Sequence, residues 1–113
     1  MTLLDEDSII AKRILDGIKP DGQRTRIFVS FGRPYEVSGG FRCPVRITGL
    51  DYDYTPPDIA GWDAIQALLL AISTAASLLD DFVVRGGKVF YPDTETPYEF
   101  SDLRLDFRAP KQT

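Results

Sequence analysis

One uncharged segment, residues 64–79, constrains the fold of this chain more than any other feature of its sequence. It is sixteen residues long and mostly apolar. Since a membrane-spanning helix needs roughly twenty predominantly apolar residues, the segment is not predicted to cross a membrane. It is predicted instead to form a helix that buries its apolar side against another layer of the same chain.

Helical periodicity, at about 100° per residue, divides this segment into two faces. The predicted inner face carries Ile65, Leu68, Ile72, Ala76 and Leu79. The predicted outer face lacks charged side chains, and we call its central part the uncharged stripe. The uncharged stripe consists of Gln66, Leu70, Ser73, Thr74 and Ser77.

Acidic residues mark both ends of the predicted helix. Asp58 or Asp63 could cap its N-terminus, and Asp63 with Gln66 has the spacing of a capping box. The helix is expected to end near Asp80. Because Asp80 and Asp81 oppose the helix dipole, we expect either a local energetic cost or a cationic neighbour there.

Three segments before the helix alternate apolar and polar residues, which predicts strands at residues 8–15, 26–31 and 41–48. The first segment also fits one face of a helix, but turn-forming residues begin at Gly17, which favours a strand. Pro44 cannot donate a ladder hydrogen bond, so the third strand is predicted to lie at an edge or to carry a bulge. Short connections between the three strands predict an antiparallel meander.

After the helix, short apolar runs flank Gly86-Gly87 and predict a hairpin over residues 82–91. Residues 103–107 alternate again and predict a final short strand. The predicted fold class is therefore α+β with two layers. One long helix packs across an antiparallel sheet made of the three-strand meander and the short C-terminal strands.

The length of the chain predicts a single domain over residues 1–113, with frayed ends at about 1–7 and 109–113. Its net charge of −4 argues against nucleic-acid binding, which requires basic residues to displace counterions from phosphate. One cysteine cannot form an internal disulfide, and the N-terminus is acidic where a signal peptide would be basic. We therefore expect a cytoplasmic protein with no nucleic-acid or membrane partner.

No catalytic, cofactor-binding or metal-binding residue is predicted. The chain contains no histidine, which removes the commonest general base and zinc ligand. Asp51 and Asp53 resemble the start of a calcium loop, but Pro56 and Trp62 stand where that loop needs glycine and glutamate, so a solvated turn is predicted. Cys43 lies on the apolar side of its predicted strand and is expected to be a buried small hydrophobe.

Two surfaces are candidates for binding. Arg26, Arg42 and Arg46 are predicted to face away from the core, where they form either a partner- or anion-binding surface or a solvated face with scattered ion pairs. The uncharged stripe is the second candidate, because solvent-facing helices usually carry Lys and Glu. It is expected to be covered either by a second subunit, giving a homodimer, or by the predicted hairpin at residues 82–91.

The middle of the chain resembles a known family. Residues 41–50 read FRCPVRITGL, and residues 61–71 read GWDAIQALLLA. They resemble a family of small bacterial domains of unknown function with an aromatic-x-C-x-x-x-I-x-G-L strand followed by a G-x-D-A-x-Q-A-L-x-L-A helix. The likeness covers roughly residues 9–79. It implies a bacterial α+β domain and transfers no catalytic residue, because the family carries no established activity.

The sequence favours a non-enzymatic domain that binds an unknown protein partner. An immunity-type inhibitor of a toxin is one form of this hypothesis, and it rests on analogy. The alternative is a small enzyme or binder of an anionic molecule, with Arg42, Arg46 and Tyr52 lining a pocket. A deep pocket around these arginines would favour the alternative, whereas a flat exposed patch would favour partner binding.

Overall fold

A single long helix packs against two antiparallel sheets in the computed structural model, which describes residues 8–52 and 54–98. The strands are β1 (Ile9–Ile18), β2 (Arg24–Gly32), β3 (Tyr35–Val37), β4 (Gly40–Cys43), β5 (Val45–Thr48), β6 (Ile59–Gly61) and β7 (Lys88–Phe90). The helix, α1, spans Ala64–Val84. One sheet has the strand order β5-β2-β1-β7 and the other has the order β3-β4-β6. The predicted α+β fold class is confirmed.

The first two predicted strands are confirmed, and both are longer than the sequence pattern indicated. They pair with each other in antiparallel register, with Leu15 opposite Ile27. β5 then adds to β2, with Ile47 opposite Val29. These four side chains are buried and form the centre of the core beneath the four-stranded sheet.

The third predicted strand, residues 41–48, is wrong as a single strand. It is divided at Pro44 into β4 and β5, which belong to different sheets. Because proline has no N–H for a ladder, the pairing must stop there, and the chain passes from one sheet to the other. The carbonyl of Pro44 still accepts a hydrogen bond from the N–H of Gly32 at 2.9 Å.

The predicted hairpin over residues 82–91 is also wrong. Phe82 to Val84 continue the helix, and the glycines that follow end it: the N–H of Gly86 donates to Val83 and that of Gly87 to Phe82. Gly86 has φ +107°, a conformation that glycine adopts most easily. β7 pairs with β1 instead of with the preceding segment. The strand predicted at residues 103–107 lies outside the described residues.

The capping prediction for Asp63 is confirmed. Its Oδ1 accepts a hydrogen bond from the N–H of Gln66 at 2.8 Å, and Gln66 Oε1 accepts one from the N–H of Trp62 at 2.6 Å. Asp58, the alternative cap, instead accepts a hydrogen bond from the hydroxyl of Tyr35 at 2.5 Å. The first bond satisfies an N–H group that the helix start would otherwise leave unpaired. The second differs from a capping box, because Gln66 bonds the residue before the cap and not Asp63 itself.

The predicted end of the helix near Asp80 is too early by one turn, since α1 continues to Val84. Arg85 lies one turn beyond Asp81 and its Nε donates to the Asp81 carboxylate at 2.9 Å. This is the cationic neighbour that an acidic residue near a helix C-terminus requires.

The predicted inner face of α1 is wrong only at Ile65, since Leu68 and Ile72 are partly buried and pack against the core. Leu79 and Ala76 are buried as predicted, but Ile65 is 72% exposed. The buried side is centred on alanines spaced one turn apart, Ala67, Ala71 and Ala75, and it ends at Leu79 and Phe82. The helical period placed the large side chain of Ile65 on the inner face. In the structure, the corresponding first turns bury alanines instead.

Gly61 of β6 explains this preference for small residues. A Cβ atom on Gly61 would lie 2.4 Å from the backbone nitrogen of Ala67, a distance that no real side chain tolerates. β6 therefore lies directly against the first turns of α1. At such a distance position 61 has no space for a side chain, and the buried side of the first helical turns carries alanine.

Helix α1 is also the most apolar element of the described chain. It has 21 residues, and its most apolar 18-residue window has a mean hydropathy of 1.8, so by length and composition it could cross a membrane. About a third of that window is buried against the rest of the protein. Other apolar side chains of α1 are partly buried against the core, and Ile65, Leu69, Leu70 and Val84 are exposed. The absence of a membrane partner stays a prediction.

We predict that Leu79→Ala lowers the free energy of unfolding by about 2–5 kcal/mol, because Leu79 is fully buried and its truncation leaves a cavity. Ile65→Ala is the matched control, since this exposed side chain should cost less than about 1 kcal/mol. Denaturant midpoints measure both values. Equal losses at the two positions would contradict the observed rotation of the helix.

We predict slow labelling of Cys43 by thiol reagents in the native protein and fast labelling in denaturant. Cys43 is fully buried, as expected from the sequence, and its Sγ contacts the carbonyl oxygen of Gly32 at 3.4 Å. Burial, with a smaller contribution from Asp58, raises the pKa of the thiol from 9.0 to about 11. Because the thiolate is the reactive form, rapid native labelling would contradict this structural role.

The same pKa difference predicts a pH-dependent stability. Between pH 9 and about 11 the unfolded chain releases the Cys43 proton while the folded chain retains it. Deprotonation therefore stabilises the unfolded state, and the free energy of unfolding should fall over this range. Urea titrations of the wild type and of Cys43→Ala across this range isolate the effect, because the variant should lack that part of the slope.

Candidate functional site

The uncharged stripe lies on the outer side of α1. Leu70 is 43% exposed, Ser73 and Ser77 are exposed, and Gln66 and Thr74 are partly exposed. The hydroxyl of Thr74 donates to the carbonyl of Leu70 at 2.9 Å. Cover by a hairpin at residues 82–91, one of the two predicted arrangements, is excluded because that hairpin does not form.

Large apolar side chains extend the stripe at the N-terminal end of the helix. Trp62 is 83% exposed, Ile65 is 72% exposed and Leu69 is 39% exposed. We call these three residues together with the uncharged stripe the outer face of α1. Sequence analysis missed this extension because Trp62 precedes the helix cap, outside the periodic segment, and Ile65 was assigned to the opposite face.

Two open grooves lie along the boundary between α1 and β6. The first has a volume of about 370 Å³ and is lined by Gly39, Ala60, Gly61, Trp62, Gln66 and Leu70. The second has a volume of about 400 Å³ and is lined by Tyr54, Ile59, Leu70, Ser73, Thr74, Ser77 and Leu78. Leu70 borders both, and none of the described residues that line the two grooves is charged. Four of the five residues of the uncharged stripe line the second groove, and Gln66 lines the first.

The strand that borders these grooves is an edge. Within residues 8–52 and 54–98, β6 pairs only with β4, with Ala60 opposite Arg42 and Gly61 opposite Phe41. Neighbouring residues of a strand direct their N–H and C=O groups to opposite sides. At least one of the three residues of β6 therefore directs its backbone hydrogen-bonding groups away from β4.

The structure does not bring the three candidate arginines together. Arg26 and Arg46 lie on the outer side of the four-stranded sheet, whereas Arg42 lies on β4 in the other sheet. Arg26 forms ion pairs with Asp16 at 3.1 Å and Asp93 at 3.2 Å. Its charge is thus offset by two carboxylates, and the nearby groove is shared with Asp16.

Arg85 binds the acidic loop that resembled the start of a calcium site. Its guanidinium forms an ion pair with Asp51 and lies over the ring of Tyr52, 4.6 Å from the ring centroid. The hydrogen bond from Arg85 lowers the pKa of Asp51 below its ordinary value. The loop is thereby attached to the C-terminal end of α1, and Tyr52 contacts Arg85, which was not among the arginines predicted to share a pocket with it.

The residues that the structure describes contain no group of three or more Cys, Asp or Glu side chains that could hold a metal ion. Exposed apolar side chains, two open grooves and the edge of a sheet occur together at the outer face of α1 and β6. Such a surface can bury apolar side chains and pair with backbone.

Comparison with known proteins identifies a family. The model of the family described as "Domain of unknown function (DUF6968)" matches residues 11–100. No curated protein and no solved structure matches the chain. The match includes all of β2 to β7, α1 and most of β1, so it covers both the outer face of α1 and its supporting sheets. The resemblance to a family of unknown function is confirmed at this level, and the chain belongs to the DUF6968 family.

Proposed function

We propose that this chain is a protein-interaction domain and that the outer face of α1 is its binding surface. One observation carries the proposal: the outer face of α1 has no charged side chain and exposes large apolar side chains. Trp62 at 83% exposure and Ile65 at 72% are the largest contributions. Exposing such groups to water without a partner is unfavourable.

The size of the exposed apolar surface supports this function. Trp62 and Tyr54 together present on the order of 200–300 Å² of aromatic surface. Ile65, Leu69 and Leu70 add aliphatic surface beside them. Apolar patches of about 300–600 Å² on a monomer often mark a binding site, and tryptophan and tyrosine are enriched among the residues that dominate interface energies.

The alternative, an enzyme or binder of an anionic molecule, has less support. It needs Arg42 and Arg46 to converge on one pocket, but they lie on different sheets. Arg26 is already paired with two carboxylates. An immunity-type inhibitor of a toxin remains one form of the interaction hypothesis, supported by the small size and acidic charge of the chain.

Photo-crosslinking tests this function. We predict that p-benzoylphenylalanine at position 65, in the full chain expressed in its source organism, gives a discrete protein adduct on irradiation. The same amino acid at position 48 is the control, because Thr48 is exposed on the four-stranded sheet, away from α1. Mass spectrometry then identifies the crosslinked protein and the residues joined.

Adducts that are several-fold more abundant at position 65 than at position 48 would support the proposal. An absence of adducts at position 65, or equal labelling at both positions, would contradict it. Circular dichroism of both purified variants confirms that the fold is retained, as expected for two exposed positions.

A further inference from the structure

We propose that the partner of this surface is a second copy of the chain, joined to the first through the edge of β6. Antiparallel pairing of the two β6 strands would unite two three-stranded sheets into one sheet of six strands. The two α1 helices would then lie side by side over the joint. This inference rests on the proposed function and names the partner.

The β6 edge is suited to pairing with its own copy. Proteins usually protect exposed edges with charge, proline, a bulge or a very short strand. β6 is short, with three residues, but Ile59, Ala60 and Gly61 carry no charge and no proline. An antiparallel pair of identical strands has two-fold symmetry, so each copy satisfies the same backbone groups of the other. With Ala60 central in β6, the axis would pass near this residue.

Because of the position of α1, pairing of the two β6 strands would also bring the two helices into contact. Because Gly61 lies directly against Ala67, the start of α1 lies above β6, next to the open edge. Joining two β6 edges therefore brings the two helices close together on the same side of the sheet. Thr74 and Ser77 face the groove along that edge, and their small size permits the interaxial distance of about 8–10 Å found for packed helices.

The electrostatics of the surface also favour a second copy. Each chain has a net charge of −4, so two copies repel each other through most of their surface. The described residues that line the two grooves are uncharged, which makes this face suitable for self-association. A partner selected by charge would instead require charged groups in the grooves.

The same symmetry gives Trp62 a place to bind. When two β6 strands pair about Ala60, residue 62 of one copy lies opposite residue 58 of the other. That position adjoins the end of the second groove, which is lined by Tyr54 and Ile59. The exposed indole of each copy can therefore be buried in the groove of the other, which adds aromatic area towards the roughly 800 Å² per partner of a standard interface.

Sedimentation equilibrium over a range of concentrations tests the oligomeric state. We expect the wild type to be a dimer. Thr74→Lys and Ser77→Lys should each raise the dimer dissociation constant by more than about tenfold, because like charges would meet across the axis. Thr48→Lys is the matched control and should leave the dimer unchanged. Circular dichroism verifies that the variants fold, and exposed Ser77 provides the substitution least able to disturb the monomer.

Disulfide crosslinking tests the geometry. In a Cys43→Ala background, Ala60→Cys should give an oxidised dimer, since residues opposite each other in an antiparallel pair have Cα atoms about 5 Å apart, within reach of a disulfide. Glu36→Cys, on β3 at the other edge of the same sheet, should not.

A wild type that remains monomeric at every concentration would overturn this inference. So would a dimer that survives both lysine substitutions or fails to crosslink through position 60. If position 65 then crosslinks to a different protein, the proposed interaction function holds and only the identity of the partner is wrong. If position 65 gives no adduct, both proposals fail.

Discussion

The contact between β6 and the first turns of α1 determines the arrangement of the rest of the molecule. Gly61 lies so close to Ala67 that any side chain at position 61 would overlap the helix backbone. The buried side of α1 begins with the small residues Ala67, Ala71 and Ala75. With this side against the sheets, Ile65 and Leu70 are exposed on the outer face of α1.

The two sheets depend on a second constraint, the missing N–H of Pro44. Because the ladder is interrupted there, β4 and β5 can pair with different strands although they are consecutive in the chain. β5 joins the sheet that contains most of the buried side chains, and β4 carries β3 and β6. The change of sheet also separates Arg42 from Arg46, which is why the structure gives little support to an arginine-lined anion site.

Helix α1 is more apolar than its burial requires, since only about a third of its most apolar window is buried. A helix that is hydrophobic on most of its circumference is normally surrounded by protein or lipid. Here the sheets cover only one side of α1. Among the described residues, the opposite side borders grooves next to β6, which is the edge strand of its sheet. The proposed interaction function and the proposed second copy are two steps of one argument about what covers that side.

The sequence alone determined the features that depend on near neighbours. Alternation predicted β1 and β2, capping chemistry predicted Asp63 as the start of α1, and the apolar pattern around Cys43 predicted its burial. The tertiary structure alone decided which side of α1 faces the sheets and where the chain changes sheet. It also decided that β6, among the described residues, is an edge strand beside the uncharged stripe. Those features depend on distances between segments far apart in the chain, and periodicity carries no information about how closely two backbones approach.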